Sequence, residues 1–167
     1  MKESLQDYVL REATPDDIEQ VLHLMREMAE FEQLVDQFHA DAHALNAHLF
    51  GPQPSAHCLV MTHRNAPQAL VGYTMWFHNY SSFLAKRGLY LEDIYIVPAH
   101  RRKGLGRHVL QYLAAKAIAL DCGRFEWVVL DWNQDAIDFY TQLGATVLDE
   151  WRTVRLSGDA LRQLAHP

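Results

Sequence analysis

The chain has 167 residues, of which 49% are hydrophobic and 22% charged, and its formal net charge is −6. This composition is typical of a folded globular protein and excludes a disordered or fibrous chain. The acidic balance argues against nucleic acid or an anionic membrane as the main partner, since both usually require a basic face.

Targeting and redox signals point to a simple soluble protein. No apolar stretch reaches the roughly 20 residues that a membrane-spanning helix needs. The polar residues 1–7 do not predict a signal peptide. The two cysteines, Cys58 and Cys122, make no disulfide framework. These features predict one domain over residues 1–167 and a cytoplasmic location.

The first half of the chain predicts strands separated by two helices. Thr14 is placed to cap a helix that Pro15 opens and that runs to about residue 30. A second helix is expected over residues 41–50, and Gly51 ends it. The strands are expected over residues 8–12, 57–62, 69–80 and 89–97.

The second half predicts helices over residues 104–120 and 133–143, ended by Gly123 and Gly144. A strand is expected between these helices, over residues 125–130, and another after them, over residues 146–156. A short tail helix follows the second strand. The helix over residues 104–120 has a predicted buried stripe of Leu105, Val109, Tyr112, Leu113 and Ile118. This order of elements predicts an α/β or α+β fold with a mixed sheet.

A basic glycine-containing loop joins the strand over residues 89–97 to the helix that follows. Gly104 and Gly106 remove side chains at the point where a helix presents free N–H groups and a positive dipole end. The surrounding basic residues are Arg101, Arg102, Lys103 and Arg107. The pattern favours a phosphate or pyrophosphate ligand, and the alternative is a basic turn whose glycines give flexibility.

Two carboxylates, Glu92 and Asp93, interrupt an otherwise apolar strand. Neighbouring residues on a regular strand point to opposite faces, so both line one cleft only if a bulge re-aims one of them. A carboxylate can hold an alkyl ammonium, whose pKa is about 10.4, and accept its proton directly or through water. The alternative is a buried ion pair with Arg or Lys.

The helix over residues 133–143 carries Asn133 and Tyr140 on one face, with Ile137 between them. Asn133 is placed to cap the helix. A phenol with an ordinary pKa of about 10 is suited to donate a proton to a leaving group at neutral pH. The alternative is that Tyr140 is a core aromatic residue with a satisfied hydroxyl.

These segments resemble a known family. Arg101-x-x-Gly104-x-Gly106 resembles the coenzyme A pyrophosphate loop of the GNAT acetyltransferase superfamily. Residues 90–98, Tyr-Leu-Glu-Asp-Ile-Tyr-Ile-Val-Pro, and residues 130–134, Leu-Asp-Trp-Asn-Gln, narrow the resemblance to the spermidine/spermine (diamine) and thialysine acetyltransferase branch. The resemblance extends from residue 11 to about residue 164. It implies the GNAT fold, a mixed central sheet flanked by helices, and a homodimer.

The resemblance also implies a function: direct transfer of the acetyl group of acetyl-CoA to a small primary amine. The acceptors it suggests are a diamine, a polyamine, or thialysine and other lysine-like amino acids. Glu92 and Asp93 would bind and deprotonate the amine, and Phe31 and Glu32 would line its pocket. Tyr140 would be the general acid, with Glu92 as the other catalytic residue. The residues expected to bind acetyl-CoA are Ile94, Tyr95, Ile96, Arg101, Arg102, Lys103, Gly104, Leu105, Gly106, Arg107, Asn133, Ala136 and Tyr140.

Some alternatives stay open at this point. A non-catalytic acyl-CoA-binding sensor would keep the glycine loop without the carboxylates and the tyrosine. An acetyltransferase acting on protein N-termini or lysines would need a peptide groove. The sequence does not decide whether Glu92 or Asp93 takes the proton, or what Asp149 and Glu150 do. No metal is expected, because His39, His43 and His48, whose spacing could seat a metal on a helix face, have no accompanying ligand set.

Overall fold

The computed structural model describes residues 4–166. Their contacts form two compact units, which are divided between Val128 and Val129. Among the described residues, the first unit carries the sheet and three α-helices, and the second carries two α-helices. That the whole chain is one domain therefore stays a prediction. Within residues 4–166, no helix is both long and apolar enough to cross a membrane.

The first unit is built on a mixed sheet, as the sequence predicts. Its strand order follows the chain, with antiparallel pairing throughout except between the last two strands, which are parallel. The strands are β1 (Tyr8–Glu12), β2 (His57–His63), β3 (Ala66–Ser81), β4 (Lys86–Ile96) and β5 (Phe125–Glu126).

The turn between β2 and β3 is tighter than the sequence suggests. His63 pairs with Ala66, so only Arg64 and Asn65 lie in the turn, and β3 begins three residues earlier than the expected start at residue 69. Pro67 is tolerated inside β3 because β4 pairs with β3 only from Gly72 onward. The missing N–H of Pro67 therefore removes no hydrogen bond to β4.

Polar chemistry at the first helix junction confirms the predicted start. Thr14 caps a short 3₁₀ turn, Pro15–Asp17, that leads into α1 (Ile18–Phe31). The buried Asp17 carboxylate accepts hydrogen bonds from the Thr14 N–H (2.8 Å) and from both terminal nitrogens of Arg11 (2.7 and 2.8 Å). These bonds lower the pKa of Asp17 to about 2 and tie β1 to α1.

Helices cover both faces of the sheet. α1 and α2 (Ala42–Phe50) pack on one face, where their apolar residues join Val60, Tyr73 and Tyr95 in one core cluster. α3 (Leu105–Ala119) packs on the other face, since Lys116 of α3 lies over the ring of Trp76. Side chains on one face of the sheet therefore pack against α1 and α2, and those on the other face pack against α3.

The buried stripe of α3 differs from the predicted one. Leu105, Val109 and Leu113 are buried as expected, but Tyr112 is 39% and Ile118 is 81% exposed. The remaining buried positions of α3 are Leu110 and Ala117. Because the buried positions repeat at four and three residues, the stripe follows the 3.6-residue period with a different phase from the one predicted.

The end of α3 also corrects the sequence analysis. Asp121, not Gly123, adopts the left-handed conformation, with φ 53°, and the Cys122 N–H bonds the Ala117 carbonyl at 2.8 Å. Gly123 is needed for space, because a Cβ there would lie 2.9 Å from Cδ1 of Leu84. Its role is packing against the β3–β4 hairpin.

The second unit contains α4 (Gln134–Gln142) and α5 (Gly158–Ala165). Gly144, with φ 93°, follows α4 as predicted, and the tail helix is confirmed as α5. The strand expected over residues 146–156 is wrong, since these residues form no strand, and β5 is limited to two residues. An apolar pattern typical of a strand is not enough here, because a strand also needs a neighbouring strand for its hydrogen bonds. Exposed apolar residues of this segment are Val147, Leu148, Trp151, Val154 and Leu156.

Candidate active site

A β-bulge lies at the two carboxylates of β4. Met75 pairs with Asp93 and Trp76 pairs with Leu91, so one step along β3 faces two steps along β4. Glu92 is the extra residue. The sequence analysis allows Glu92 and Asp93 to share a cleft only through such a bulge, and the structure has it at this position.

The bulge changes which residues of β4 face which helices. Leu91 lies opposite Trp76, on the face that α3 covers. After the bulge, Asp93 and Tyr95 lie on the opposite face, where α1 packs, because Tyr95 belongs to the α1 core cluster and Asp93 contacts Tyr73 of the same cluster. Before the bulge, the buried Leu89 and Leu91 lie on the α3 face, as every second residue of a strand does. After the bulge, the next residue in this series, Asp93, lies on the α1 face instead.

Asp93 is held at both its side chain and its backbone. The Tyr73 hydroxyl donates to Oδ2 of Asp93 at 3.1 Å, and the Thr74 hydroxyl donates to the Asp93 carbonyl at 2.6 Å. Burial, together with the charges of Glu92 and Glu32, raises the pKa of Asp93 to about 6. The hydrogen bond from Tyr73 acts in the opposite direction, because it favours the ionised carboxylate.

Glu92 differs from Asp93 in exposure, since it is exposed and Asp93 is half-buried. Neither carboxylate forms an ion pair with Arg or Lys in the described part of the chain. This removes the alternative that the two residues form a buried ion pair. A half-buried carboxylate without a cation favours a cationic ligand over a purely structural role.

The end of α1 lies near Asp93. Glu32 is the C-cap residue of α1, directly after Phe31, and burial raises the pKa of its carboxyl group. Its charge is one of the causes that raise the pKa of Asp93. Phe31 is 46% exposed, and the guanidinium of Arg101 lies 5.2 Å from the centre of its ring. Of the four predicted substrate residues, Glu32 and Glu92 are thus both within electrostatic reach of a third, Asp93.

The outer edge of β4 is open beyond the short β5. Pairing with β5 ends at Tyr90↔Glu126, and no other strand of residues 4–166 pairs with β4 on that edge. Val97 N–H donates to Val71 of β3 at 2.9 Å, so by alternation Ile94 and Ile96 direct their N–H and carbonyl groups to the open edge. The Ile96 carbonyl accepts from Nε of Arg101 at 2.7 Å. The Ile94 N–H is therefore directed to the open edge, where it can donate a hydrogen bond to a carbonyl oxygen.

The glycine loop has the backbone of an anion site. After the 3₁₀ turn Pro98–His100, Arg102 and Gly104 adopt positive φ angles of 61° and 87°. A Cβ on Gly104 would meet no atom within 4 Å, so the space beside it is open. In the described residues, the N–H groups of Leu105, Gly106 and Arg107 have no carbonyl acceptor, as expected for the first turn of a helix.

The four basic side chains of the loop divide into two pairs. Arg101 is turned toward α1 and β4, over the rings of Phe31 and Tyr95, and the ammonium of Lys103 donates to the Ala99 carbonyl at 3.0 Å. Arg102 and Arg107 are exposed, and their side chains make no hydrogen bond or ion pair with residues 4–166. The sequence analysis places all four around the helix start, and in the structure Arg102 and Arg107 are the pair available to an anion there.

The remaining predicted site residues lie in the second unit. Asn133 caps α4, since its Oδ1 accepts from the Ala136 N–H at 3.3 Å. Tyr140 lies on α4, is half-buried, and its ring centre is 5.4 Å from that of Phe139. The shared helix face of Asn133 and Tyr140 is therefore present, and their catalytic and cofactor roles stay predictions.

The sequence analysis missed Tyr73. It is fully buried on β3, and its hydroxyl contacts Asp93 and lies 3.6 Å from Sδ of Met28. The available signal was a hydroxyl in the otherwise apolar stretch 70–73 of a predicted strand. Such a hydroxyl needs a partner when buried.

Other reactive groups lie outside this site. Burial raises the pKa of the Cys58 thiol to about 12, which makes it a poor nucleophile at neutral pH. Among residues 4–166, no group of three or more His, Cys, Asp and Glu side chains is arranged to hold a metal ion.

Sequence comparison finds relatives over nearly the whole chain. The model of the acetyltransferase (GNAT) family matches residues 18–145. The chain is 39% identical to thialysine N-epsilon-acetyltransferase of Sus scrofa over 165 residues, covering 94% of this chain and 96% of the relative. It is 34% identical to L-ornithine N5-acetyltransferase NATA1 of Arabidopsis thaliana, covering 93% of this chain and 86% of the relative.

Solved structures share the fold at lower identity. An integron cassette protein from the mobile metagenome of V. cholerae superposes with a TM-score of 0.76 at 20% identity, covering 96% of this chain and 99% of that protein. An aminoglycoside acetyltransferase, meta-AAC0020, from an uncultured soil metagenomic sample superposes with a TM-score of 0.75 at 14% identity, covering 93% and 99%. These identities support the fold alone.

Proposed function

The chain belongs to the acetyltransferase (GNAT) family, and from this premise we propose that the Asp93 side of its sheet receives a small primary amine for acetylation. The family and its relatives make the chain an acetyl-CoA-dependent N-acetyltransferase of small amines with the GNAT fold. The proposed acceptors are a diamine, a polyamine, or thialysine and other lysine-like amino acids. The thialysine and ornithine relatives favour the lysine-like group.

The observation that carries the proposal is the uncompensated charge at Asp93. Its carboxylate is buried enough to have a pKa near 6, it lies close to Glu32 and Glu92, and none of the three is paired with Arg or Lys in the described residues. A ligand ammonium would supply the missing positive charge. The site therefore favours cationic amines over neutral or acidic acceptors.

The same carboxylate is suited to remove a proton from the amine. A pKa of about 6 makes Asp93 a stronger base than an ordinary aspartate while it stays mostly ionised at neutral pH. Glu92, exposed at the bulge, is placed to pass the proton to solvent. We propose this division between the two carboxylates, which the sequence analysis leaves open.

On the donor side, the helix start supports binding of a pyrophosphate. The N–H groups of residues 105–107, the open space at Gly104 and the exposed Arg102 and Arg107 fit an anionic ligand. The Ile94 N–H at the open edge of β4 would polarise a carbonyl oxygen there. Acetyl-CoA supplies the reactive thioester when it is bound.

Three parts of the proposal come from the family resemblance. In the second unit, Tyr140 is proposed as the proton donor to the leaving thiolate, and Asn133 and Ala136 as contacts to acetyl-CoA. We also propose a homodimer and a cytoplasmic location. The absence of nucleic-acid or membrane partners stays a prediction that the net charge of −6 supports.

A thiol-release assay with an amine panel tests the function. The panel contains thialysine, lysine, ornithine, putrescine, spermidine and a lysine peptide, with acetyl-CoA as donor. We expect release with free amines and little with the peptide. Tyr140→Phe should lower kcat with little change in acetyl-CoA affinity.

Two results would redirect the assignment. Tight binding of acetyl-CoA without thiol release on any amine would favour the non-catalytic sensor. Release with the peptide alone would favour an enzyme for protein amines. Product identification by mass spectrometry distinguishes N-acetylation from simple thioester hydrolysis.

A further inference from the structure

Tyr73 lies where the core and the amine side of the sheet meet. Its side chain is fully buried in the cluster that α1, α2 and the sheet share. A phenylalanine would fill the same space, so the hydroxyl is the part that packing does not explain. A buried hydroxyl needs a partner, since leaving it without a hydrogen bond destabilises the fold. Its carboxylate partner is Oδ2 of Asp93, at 3.1 Å.

The proton of this hydroxyl has one charged acceptor. Burial and the Asp93 charge raise the pKa of Tyr73 well above its ordinary value, so the phenol stays protonated at any pH at which the protein works. The other contact of the hydroxyl is Sδ of Met28 at 3.6 Å, and a thioether is a weak acceptor. Tyr73 therefore acts as a fixed donor to Asp93.

The hydrogen bond from Tyr73 occupies one carboxylate oxygen of Asp93, a residue whose backbone is also held in place. Thr74 holds the Asp93 carbonyl at 2.6 Å, and the bulge pairs Asp93 with Met75. Oδ1 of Asp93 makes no hydrogen bond with the described residues. The two carboxylate oxygens are thus different, because one is fixed by the protein and the other is left for a ligand.

We infer that Tyr73 is a positioning residue that acts through Asp93: its hydroxyl fixes one carboxylate oxygen and so presents the other to the amine. This inference rests on the proposed function. The charged and titratable groups that face Asp93 are Glu92 beside it on β4, Glu32 at the end of α1, Tyr73 on β3 and Cys58 on β2. Of these groups, Tyr73 is the one that donates a hydrogen bond to the carboxylate.

The variant Tyr73→Phe removes the hydroxyl and keeps the ring. The acidic pKa in the pH profile of kcat/KM for the amine should rise by about one unit, since a hydrogen bond to a charged group is worth about 1.5–3 kcal/mol and one pKa unit about 1.4 kcal/mol. The direction is upward because the lost bond favours the ionised carboxylate. KM for the amine should rise about fivefold, and KM for acetyl-CoA should stay within about twofold.

Thr74→Val is the matched control. It is fully buried on the same strand and also loses one hydrogen bond to Asp93, but to the backbone carbonyl. We expect this variant to lose stability without moving the acidic pKa. An equal shift in both variants would show that general loosening at residue 93 is the cause, and the inference would be wrong.

A second measurement does not depend on turnover. Carboxyl ¹³C NMR titration of Asp93 in the wild-type chain and in Tyr73→Phe should show the same upward shift. An unchanged titration overturns the inference even if the variant loses activity. If the wild-type chain acetylates no amine, the proposed function fails, and a titration shift would then leave Tyr73 as a purely structural partner of Asp93.

Discussion

At Asp93, burial and two neighbouring negative charges oppose ionisation, while one hydrogen bond favours it. Burial is the largest of these effects, and of the two charges Glu92 has the larger effect. Because Glu92 is exposed, its influence is screened by water, and it can be removed without disturbing the core. The two carboxylates can therefore be distinguished experimentally, because removing Glu92 should move the pKa of Asp93 and removing Asp93 should abolish it.

We predict that kcat/KM for the amine has an acidic pKa near 6 in the wild-type chain. Glu92→Gln removes a charge that raises the pKa of Asp93, so the acidic pKa should move to lower pH. Asp93→Asn should remove it from the profile and reduce kcat/KM by about 100-fold. Steady-state rates between pH 5 and 9 measure both effects, and persistence of the same acidic pKa in Asp93→Asn would contradict the assignment.

At the scale of elements, the junction between β4 and α3 contains two residues with a left-handed backbone, Arg102 and Gly104. Gly104 has φ 87° and precedes the first turn of α3, whose N–H groups form the proposed anion site. The open space around it means that strain, and not a clash with the protein, is the cost of adding a side chain. The same is true of Gly144, which follows α4 with φ 93°.

Gly104→Ala and Gly144→Ala form a matched pair for this reason. Each should lower the free energy of unfolding by about 1–2 kcal/mol, the cost of a left-handed L-residue. Gly104→Ala should also raise the Kd for acetyl-CoA about tenfold, because its Cβ occupies space that the ligand needs. Calorimetric titration measures the Kd, and equal affinities in the two variants would place the cofactor elsewhere.

At the scale of the whole molecule, elements with local signals could be predicted from the sequence. Thr14, Pro15 and Asp41 mark helix starts through side-chain chemistry that does not depend on distant residues, and the structure confirms both helices. The strand over residues 57–62 is likewise confirmed because its apolar run is bounded by turn residues. The strand expected over residues 146–156 failed because strand formation depends on a partner that composition does not reveal.

The residue types of the candidate site could be predicted from the sequence, but most contacts between its residues could not. The carboxylates of β4 and the glycine loop stand out as residue types in unusual places. The contacts of Arg101 with Phe31 and Tyr95, and of Tyr73 with Asp93, join residues far apart in the chain, so no local pattern contains them. The position of the bulge is likewise a property of strand pairing, and the apolar residues around it do not specify it.

The two cysteines give a probe of global stability. Cys58 is buried in the core cluster with a thiol pKa of about 12, and Cys122 is half-exposed at the end of α3. In the native protein we expect Ellman's reagent to modify Cys122 promptly and Cys58 only as fast as the core opens. Cys122→Ser should abolish the prompt phase, and prompt reaction of two thiols in the wild-type chain would contradict the buried position of Cys58.

The bulge at Glu92 has a consequence for how such a site can arise. Removing Glu92 would leave Leu91 opposite Trp76 and Asp93 opposite Met75, which is ordinary antiparallel pairing with each side chain on its present face. Inserting one codon at this point of an ancestral strand thus adds an acidic group without repacking either layer of the interior. Chemistry is gained by lengthening the strand, and the scaffold need not be redesigned.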